Sequence, residues 1–180
     1  MWDRYTERAR KVMYYAQEVA EAHDYNFVTP EHLLHGLLRE HDTVAGILLC
    51  RLGCDSDALR SVIERQLPVG PGRNGETMKL SKRSVQVLGH ASAEAQRLRN
   101  NWIGTEHFLL GIIAEGRGIA FEALRSAGLD LHRGRCILHE FYESAPETWP
   151  PALTTGSPVS AAPLAPVPAQ PDAQMVSTSS

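Results

Sequence analysis

The sequence predicts an all-α fold made of two tandem copies of one four-helix unit, followed by a disordered Pro/Ala-rich tail. Three observations carry this prediction. An internal match holds at a fixed offset of 75 residues, laying Asn26 over Asn101. Apolar residues recur at helical three- and four-residue spacing, and no run of alternating β-branched residues marks a strand.

The match runs without a gap through Asn26–Leu38 and Asn101–Ile113, which share Glu-His at Glu31-His32 and Glu106-His107. The same offset pairs Ala16 with Ala91, Ala20 with Ala95, Glu40 with Glu115, Ala45 with Ala120, and Leu49 with Leu124. It also pairs Gly53 with Gly128 and Asp55 with Asp130. One offset holding at so many positions is the mark of a duplication.

Within the first copy, Thr6 opens a helix whose Ala9, Val12, Met13, Ala16, Val19 and Ala20 share one face. Thr29-Pro30 starts the second: the hydroxyl caps free backbone N–H groups, and proline suits a first helical turn. A short third helix spans Val44 to Leu52 and stops at Gly53. The fourth follows Asp55 or Ser56 and carries Leu59, Val62, Ile63 and Leu67. The second copy repeats the plan from Ser81 to about Glu143.

Repeat one therefore covers about residues 1–67 and repeat two about 80–143, joined by a linker over 68–79. The linker is too rich in Gly and Pro for a helix. Its Gly70-Pro71-Gly72-Arg73-Asn74-Gly75-Glu76-Thr77 has the glycine spacing of a phosphate loop, but Glu76 stands where that loop needs lysine. Over 144–180 the composition changes: eight of the 11 prolines fall there, and no Lys or Arg follows Arg135. Such a segment has too little apolar surface to fold and is expected to be disordered.

The formal charge of -3 and pI near 6.2 argue against nucleic-acid binding. No segment is long and apolar enough for a membrane span. Three cysteines without a signal-peptide pattern read as reduced thiols, and the expected compartment is the cytoplasm.

The paired Glu-His segments and the opening Trp2-Asp3-Arg4-Tyr5-Thr6-Glu7-Arg8-Ala9 carry a family resemblance. Over residues 1–143 the chain resembles the N-terminal domain of the Clp family of AAA+ unfoldases, and most of all its ClpC type. The resemblance implies a pseudo-twofold bundle of eight helices that receives adaptors and substrates beside an ATPase ring, here free-standing without ATPase modules. It further implies two symmetry-related phosphoarginine pockets, with Thr6 and Glu31 in one half and Ser81 and Glu106 in the other. A carboxylate suits the guanidinium, and helix-start N–H groups with a hydroxyl suit the phosphate. Pro30 departs from the threonine expected before Glu31, and Ser81 stands for a threonine. The resemblance also places a peptide groove along the N-terminal edge, with Trp2, Tyr5, Tyr14, Gln17 and Leu80 around it; by composition alone, Trp2 and Tyr5 serve either as a docking surface or as a cover over the core.

No catalytic residue, cofactor or metal is expected. Each Glu-His pair reads as a helix-start cap, with the glutamate favoured at the positive dipole end, and neither a nucleophile nor an orienting group accompanies it. His32 and His35 lie one turn apart, and Cys50 and Cys54 are similarly spaced, but Leu110 replaces His35 in the second copy; free buried cysteines are the expectation. Arg97, Arg99, Arg117, Arg125, Arg133 and Arg135 read as a solvated helix surface. The expected function is non-catalytic protein or peptide binding in Clp-dependent proteolysis, as a regulator, adaptor-like protein or decoy. Its expected partners are Clp ATPase or protease components, their adaptors, arginine-phosphorylated substrates, or peptide antibiotics aimed at such domains. The alternatives are a stand-alone phosphoarginine or small-ligand sensor independent of the protease, and an enzyme using the Glu-His pairs with a metal.

Overall fold

The computed structural model describes residues 2–75 and 77–144, without the Trp2 side chain; Glu76 and the expected disordered tail beyond Ser144 lie outside the described residues. After a 3₁₀ turn at Trp2–Arg4, the first repeat forms α1 (Glu7–Ala22), α2 (Pro30–Leu38), α3 (Val44–Arg51) and α4 (Ser56–Gln66). The second forms α5 (Lys82–Arg97), α6 (Thr105–Glu115), α7 (Gly118–Ser126) and α8 (Leu131–Ser144).

Capping side chains set most of these starts. Thr6 accepts from the Ala9 N–H at 3.2 Å and Ser81 from the Ser84 N–H at 3.1 Å, so α1 and α5 begin alike. Thr43 caps α3 and Asp55 caps α4 in the same way. Ends repeat too: Asp24 and Arg99, which the offset superposes, both adopt left-handed backbone just past α1 and α5, with φ of 61° and 56°.

The centre is α2 and α6, apolar almost all round and buried along nearly their whole lengths. They pack on α1 and α5 at very close range. A Cβ on Gly36 would lie 2.6 Å from the Val12 carbonyl oxygen, and one on Gly111 would lie 2.5 Å from that of Val87. Opposite them stand Ala16 and Ala91, both fully buried. These small residues are matched between the repeats because each helical hairpin closes backbone to backbone.

A small amount of strand pairing accompanies the all-α architecture. β1 (Phe27–Val28) pairs in parallel with β2 (Lys79–Leu80), and Tyr5 bridges Ile103 in the same sense. The Ser81 N–H donates to the Val28 carbonyl at 3.0 Å and the Thr6 N–H to the Ile103 carbonyl at 3.0 Å. Each repeat therefore threads the residues before its first helix onto the other repeat's loop, and the two ladders are related by the offset. Two-residue strands show no alternation, so the sequence pattern gives no sign of them. The Gly/Pro linker is also tied down: the Gly70 N–H donates to the His23 carbonyl at 2.7 Å, and Asn26 donates to the Gly72 carbonyl at 2.9 Å.

Candidate binding sites at the repeat boundary

Because the ladders cross, each candidate carboxylate sits where helix starts from both repeats meet. Glu31, in the first turn of α2, lies beside the first turn of α5 and the start of α7. The Arg83 guanidinium donates to Glu31 Oε1 at 3.1 Å and grips Glu115 with two bonds, at 2.9 and 2.8 Å. It also donates to the Arg117 carbonyl oxygen. The paired Glu115 and Glu31 carboxylates raise the Arg83 pKa still further, and Arg83 in turn holds Glu115 below the usual carboxylate range. Gly118 makes room for this pair: with φ of 80°, its missing Cβ would fall 2.5 Å from Glu31 Oε1 and 2.6 Å from an Arg83 nitrogen.

The other half is built differently. Glu106 is 3% exposed and takes a hydrogen bond from the Tyr142 hydroxyl at 3.0 Å, with the Thr105 hydroxyl at 3.4 Å. Its carboxylate lies over Gly104, whose Cβ would fall 2.5 Å from both carboxylate oxygens. Burial, with the Glu106 charge beside it, pushes the Tyr142 hydroxyl well above the ordinary tyrosine pKa, so it stays a donor. Arg8, superposed on Arg83 by the offset, is held by Glu40 at 2.6 Å, and Lys11 shares that carboxylate at 2.5 Å. Thr43 occupies the position equivalent to Gly118. Glu31 is thus paired with an arginine, whereas Glu106 is held by hydroxyls, with His107 Nδ1 3.1 Å from its Oε1.

Histidine, not glutamate, caps the central helices. The Thr29 N–H donates to His32 Nδ1 at 3.0 Å and the Gly104 N–H to His107 Nδ1 at 2.9 Å. Each imidazole reaches back from the third helical position, the role a glutamate or glutamine takes in a capping box. His32 is fully buried, and desolvation lowers its pKa to about 4, so it is neutral at pH 7. The repeated Glu-His signal was visible in the sequence; that the second member supplies the cap was not, because histidine is not a usual capping-box residue.

The structure regroups the expected pocket residues across the repeats. Ser81 and Arg83 come to the Val28–Glu31 loop, and Thr6 comes to the Ile103–Glu106 loop, so hydroxyl and carboxylate of each group come from different repeats. Both hydroxyls already cap α1 and α5. Pro30 has no hydroxyl where Thr105 accepts from the Ala45 N–H at 3.4 Å, which links α6 to the start of α3.

The groove residues separate. Tyr5 is 7% exposed and packs edge-to-face on Phe108 at 5.7 Å, serving as a cover over the core. Leu80 is half-buried in the β1–β2 ladder, the counterpart of Tyr5 in the other ladder. Tyr14 is exposed and Gln17 half-buried on the outer side of α1. Of the cysteines, Cys50 and Cys136 are exposed and Cys54 half-buried, correcting the expectation of burial: Cys50 falls off the α3 face defined by Val44, Ala45, Leu48 and Leu49. Among the described residues no group of three His, Cys, Asp or Glu is placed to hold a metal, and no helix is long and apolar enough to cross a membrane. Two of the six second-half arginines, Arg97 and Arg135, clasp the buried Glu94.

The Clp repeat (R) N-terminal domain family matches residues 4–132. The chain is 37% identical over 136 residues to the negative regulator of genetic competence ClpC/MecB of Bacillus subtilis (strain 168), covering 75% of this chain and 16% of that protein. It is 37% identical over 130 residues to the chloroplastic chaperone ClpC1 of Oryza sativa subsp. japonica, covering 72% of this chain and 14% of that one. The chain thus spans only a small fraction of the length of these relatives. Among solved structures, the Hsp104 N-terminal domain of Candida albicans superposes with a TM-score of 0.66 at 19% identity, over 79% of this chain and 94% of that one. The repeat, the eight helices among the described residues and the sequence match agree, and the chain belongs to the Clp repeat (R) N-terminal domain family.

Proposed function

We propose that this chain is a non-catalytic binding module of Clp-dependent proteolysis, receiving adaptors, substrates or peptides at the boundary between its repeats. The observation that carries the reading is a buried carboxylate, Glu31 or Glu106, among helix starts from both repeats. A carboxylate recognises a guanidinium, and helix N-termini favour a phosphoryl group, so an arginine-phosphorylated chain presents both complements. The two places are not equivalent. At Glu31, Arg83 occupies the position a ligand guanidinium would take, and binding there must first displace an ion pair. At Glu106 a ligand exchanges with neutral hydroxyl donors.

Titration with phosphoarginine, followed by amide chemical shifts, tests this. The expected result is saturable shifts around Glu106, with Glu106→Ala weakening binding by about tenfold, or ~1.4 kcal/mol, and Glu31→Ala doing less. Capture of a Clp ring held in its ATP-bound state, or of its adaptors, by the immobilised chain tests the proteolytic role. Failure of both phosphoarginine binding and capture would discard the proposal.

A further inference from the structure

Duplication puts Arg8 and Arg83 in matched places, in the first turns of α1 and α5, each beside a glutamate near the far end of its central helix. What differs is the competition for that glutamate. Lys11 lies 2.5 Å from Glu40 Oε1, which leaves Arg8 a single bond to Oε2 at 2.6 Å. The offset puts the uncharged, exposed Gln86 for Lys11, and Arg83 takes both oxygens of Glu115, through Nε at 2.9 Å and Nη2 at 2.8 Å. A two-bond grip orients the planar guanidinium. Its remaining nitrogen, Nη1, then reaches across the repeat boundary to Glu31 Oε1 at 3.1 Å.

Gly118 admits this reach. At φ of 80° its backbone passes so close that a Cβ would fall 2.5 Å from Glu31 Oε1 and 2.7 Å from Arg83 Nη1. Its counterpart is Thr43, in extended backbone with φ of -134°. In that half the bonds to Glu106 come from the Tyr142 and Thr105 hydroxyls. Burial does not separate the two carboxylates, at 6% and 3% exposure. Occupancy does, since Glu31 already holds a guanidinium.

We propose that Arg83 is an intramolecular occupant of the Glu31 place, so that a chain with two matched carboxylates offers Glu106 to a ligand and keeps Glu31 filled. This rests on the function proposed above, in which each carboxylate receives a guanidinium. A ligand entering at Glu31 displaces Arg83 Nη1 while Glu115 keeps that cation beside it, and like charge opposes the exchange. Gln86 and Gly118 thereby set the valence. A second tag on one substrate finds no second seat, and linking two tags brings no gain in affinity.

Phosphoarginine titration of the full chain tests this through two groups of amides: Thr6, Thr105 and Glu106, against Glu31, His32 and Ser84. In the unaltered chain the first group should saturate at a concentration about tenfold or more below the second, the separation expected where Arg83 vacates Glu31 about one tenth of the time or less. Arg83→Gln removes the occupant. Gln86→Lys gives Glu115 the competitor that Glu40 has, at an exposed position that leaves the fold intact. Both should lower the saturating concentration of the second group, by about tenfold for Arg83→Gln, and leave the first unchanged. Equal saturation of the two groups in the unaltered chain overturns the proposal, as does an unmoved second group in both variants while the first group binds. Absence of binding at the first group in every chain is a different failure: it discards the carboxylates as guanidinium receptors, and the occupant with them.

Discussion

Two glycine-to-alanine substitutions in one helical hairpin should change stability in opposite directions. Gly89 is exposed in the middle of α5, and a Cβ there meets nothing within 4 Å. Gly89→Ala therefore gains helix propensity alone, about 1 kcal/mol. Gly111 is buried in α6, and a Cβ there would lie 2.5 Å from the Val87 carbonyl oxygen and 3.1 Å from the Ala91 nitrogen. The nearer contact is about 1 Å short of ordinary van der Waals distance. Both obstacles are backbone atoms of a packed helix, so α5 and α6 must move apart, opening a core that holds the fully buried Val87 and Leu110. Overpacking of this kind costs about 3 kcal/mol or somewhat more, and the same ~1 kcal/mol propensity gain offsets only part of it. The net expectation for Gly111→Ala is a loss of about 2 kcal/mol. With a urea m-value of about 2 kcal/mol/M, the midpoint falls by roughly 1 M, while that of Gly89→Ala rises by about 0.5 M. Urea unfolding followed by far-ultraviolet circular dichroism measures both. A rise in midpoint for Gly111→Ala at unchanged m-value would refute the close-packed hairpin as the reason for the repeated glycine.

Three further outcomes are expected. The His32 pKa is lowered to about 4 from 6.5, so its neutral form stabilises the fold fully above pH 6.5 and this contribution is lost as pH falls towards 4. The loss amounts to about 3 kcal/mol; His32→Gln keeps an acceptor for the Thr29 N–H, and its melting temperature should fall less steeply over that interval, whereas equal slopes would show that His32 does not titrate in the fold. Tyr142→Phe removes the hydroxyl donor to the buried Glu106 and should cost about 1–3 kcal/mol in urea unfolding; a smaller loss when Glu106→Gln is already present would confirm the coupling, and strict additivity would disprove it. Arg99→Gly relieves a non-glycine residue at φ of 56° and should be stabilising by up to about 1 kcal/mol, unless the looser unfolded chain cancels the gain; a loss of more than that would mean the Arg99 side chain holds the turn.

The helices were legible because their signals are local and repeated. Apolar faces such as Ala9–Ala20, cap residues such as Thr6, Thr43 and Asp55, and stops such as Gly53 each act within a turn or two. Glu31 and Glu106 stood out because duplication places them alike. What surrounds them was not legible. The two glutamates share a sequence context, yet one meets Arg83 and the other Tyr142, and those encounters depend on which repeat's loop lies under which helix. A pairing set by two-residue strands leaves no periodic trace, and the superposition of Arg8 on Arg83 hides that only Arg83 reaches across, past Gly118. Tyr142 has Leu67 as its counterpart, so the offset that revealed the two carboxylates could not reveal this difference.

The crossed ladders also bear on when, in the life of the chain, a site comes into being. The bond from the Thr6 N–H to the Ile103 carbonyl closes a loop of nearly a hundred residues. Contacts of such separation come late in folding, since the entropy of the intervening chain is surrendered before they reward it. A first repeat made alone would still carry Glu31 and its histidine cap, but would lack Ser81, Arg83 and the β2 strand that frame them. Neither candidate surface belongs to a half. Each is a property of the finished molecule, so a chain interrupted partway through synthesis would possess every residue of one repeat and neither assembled candidate site.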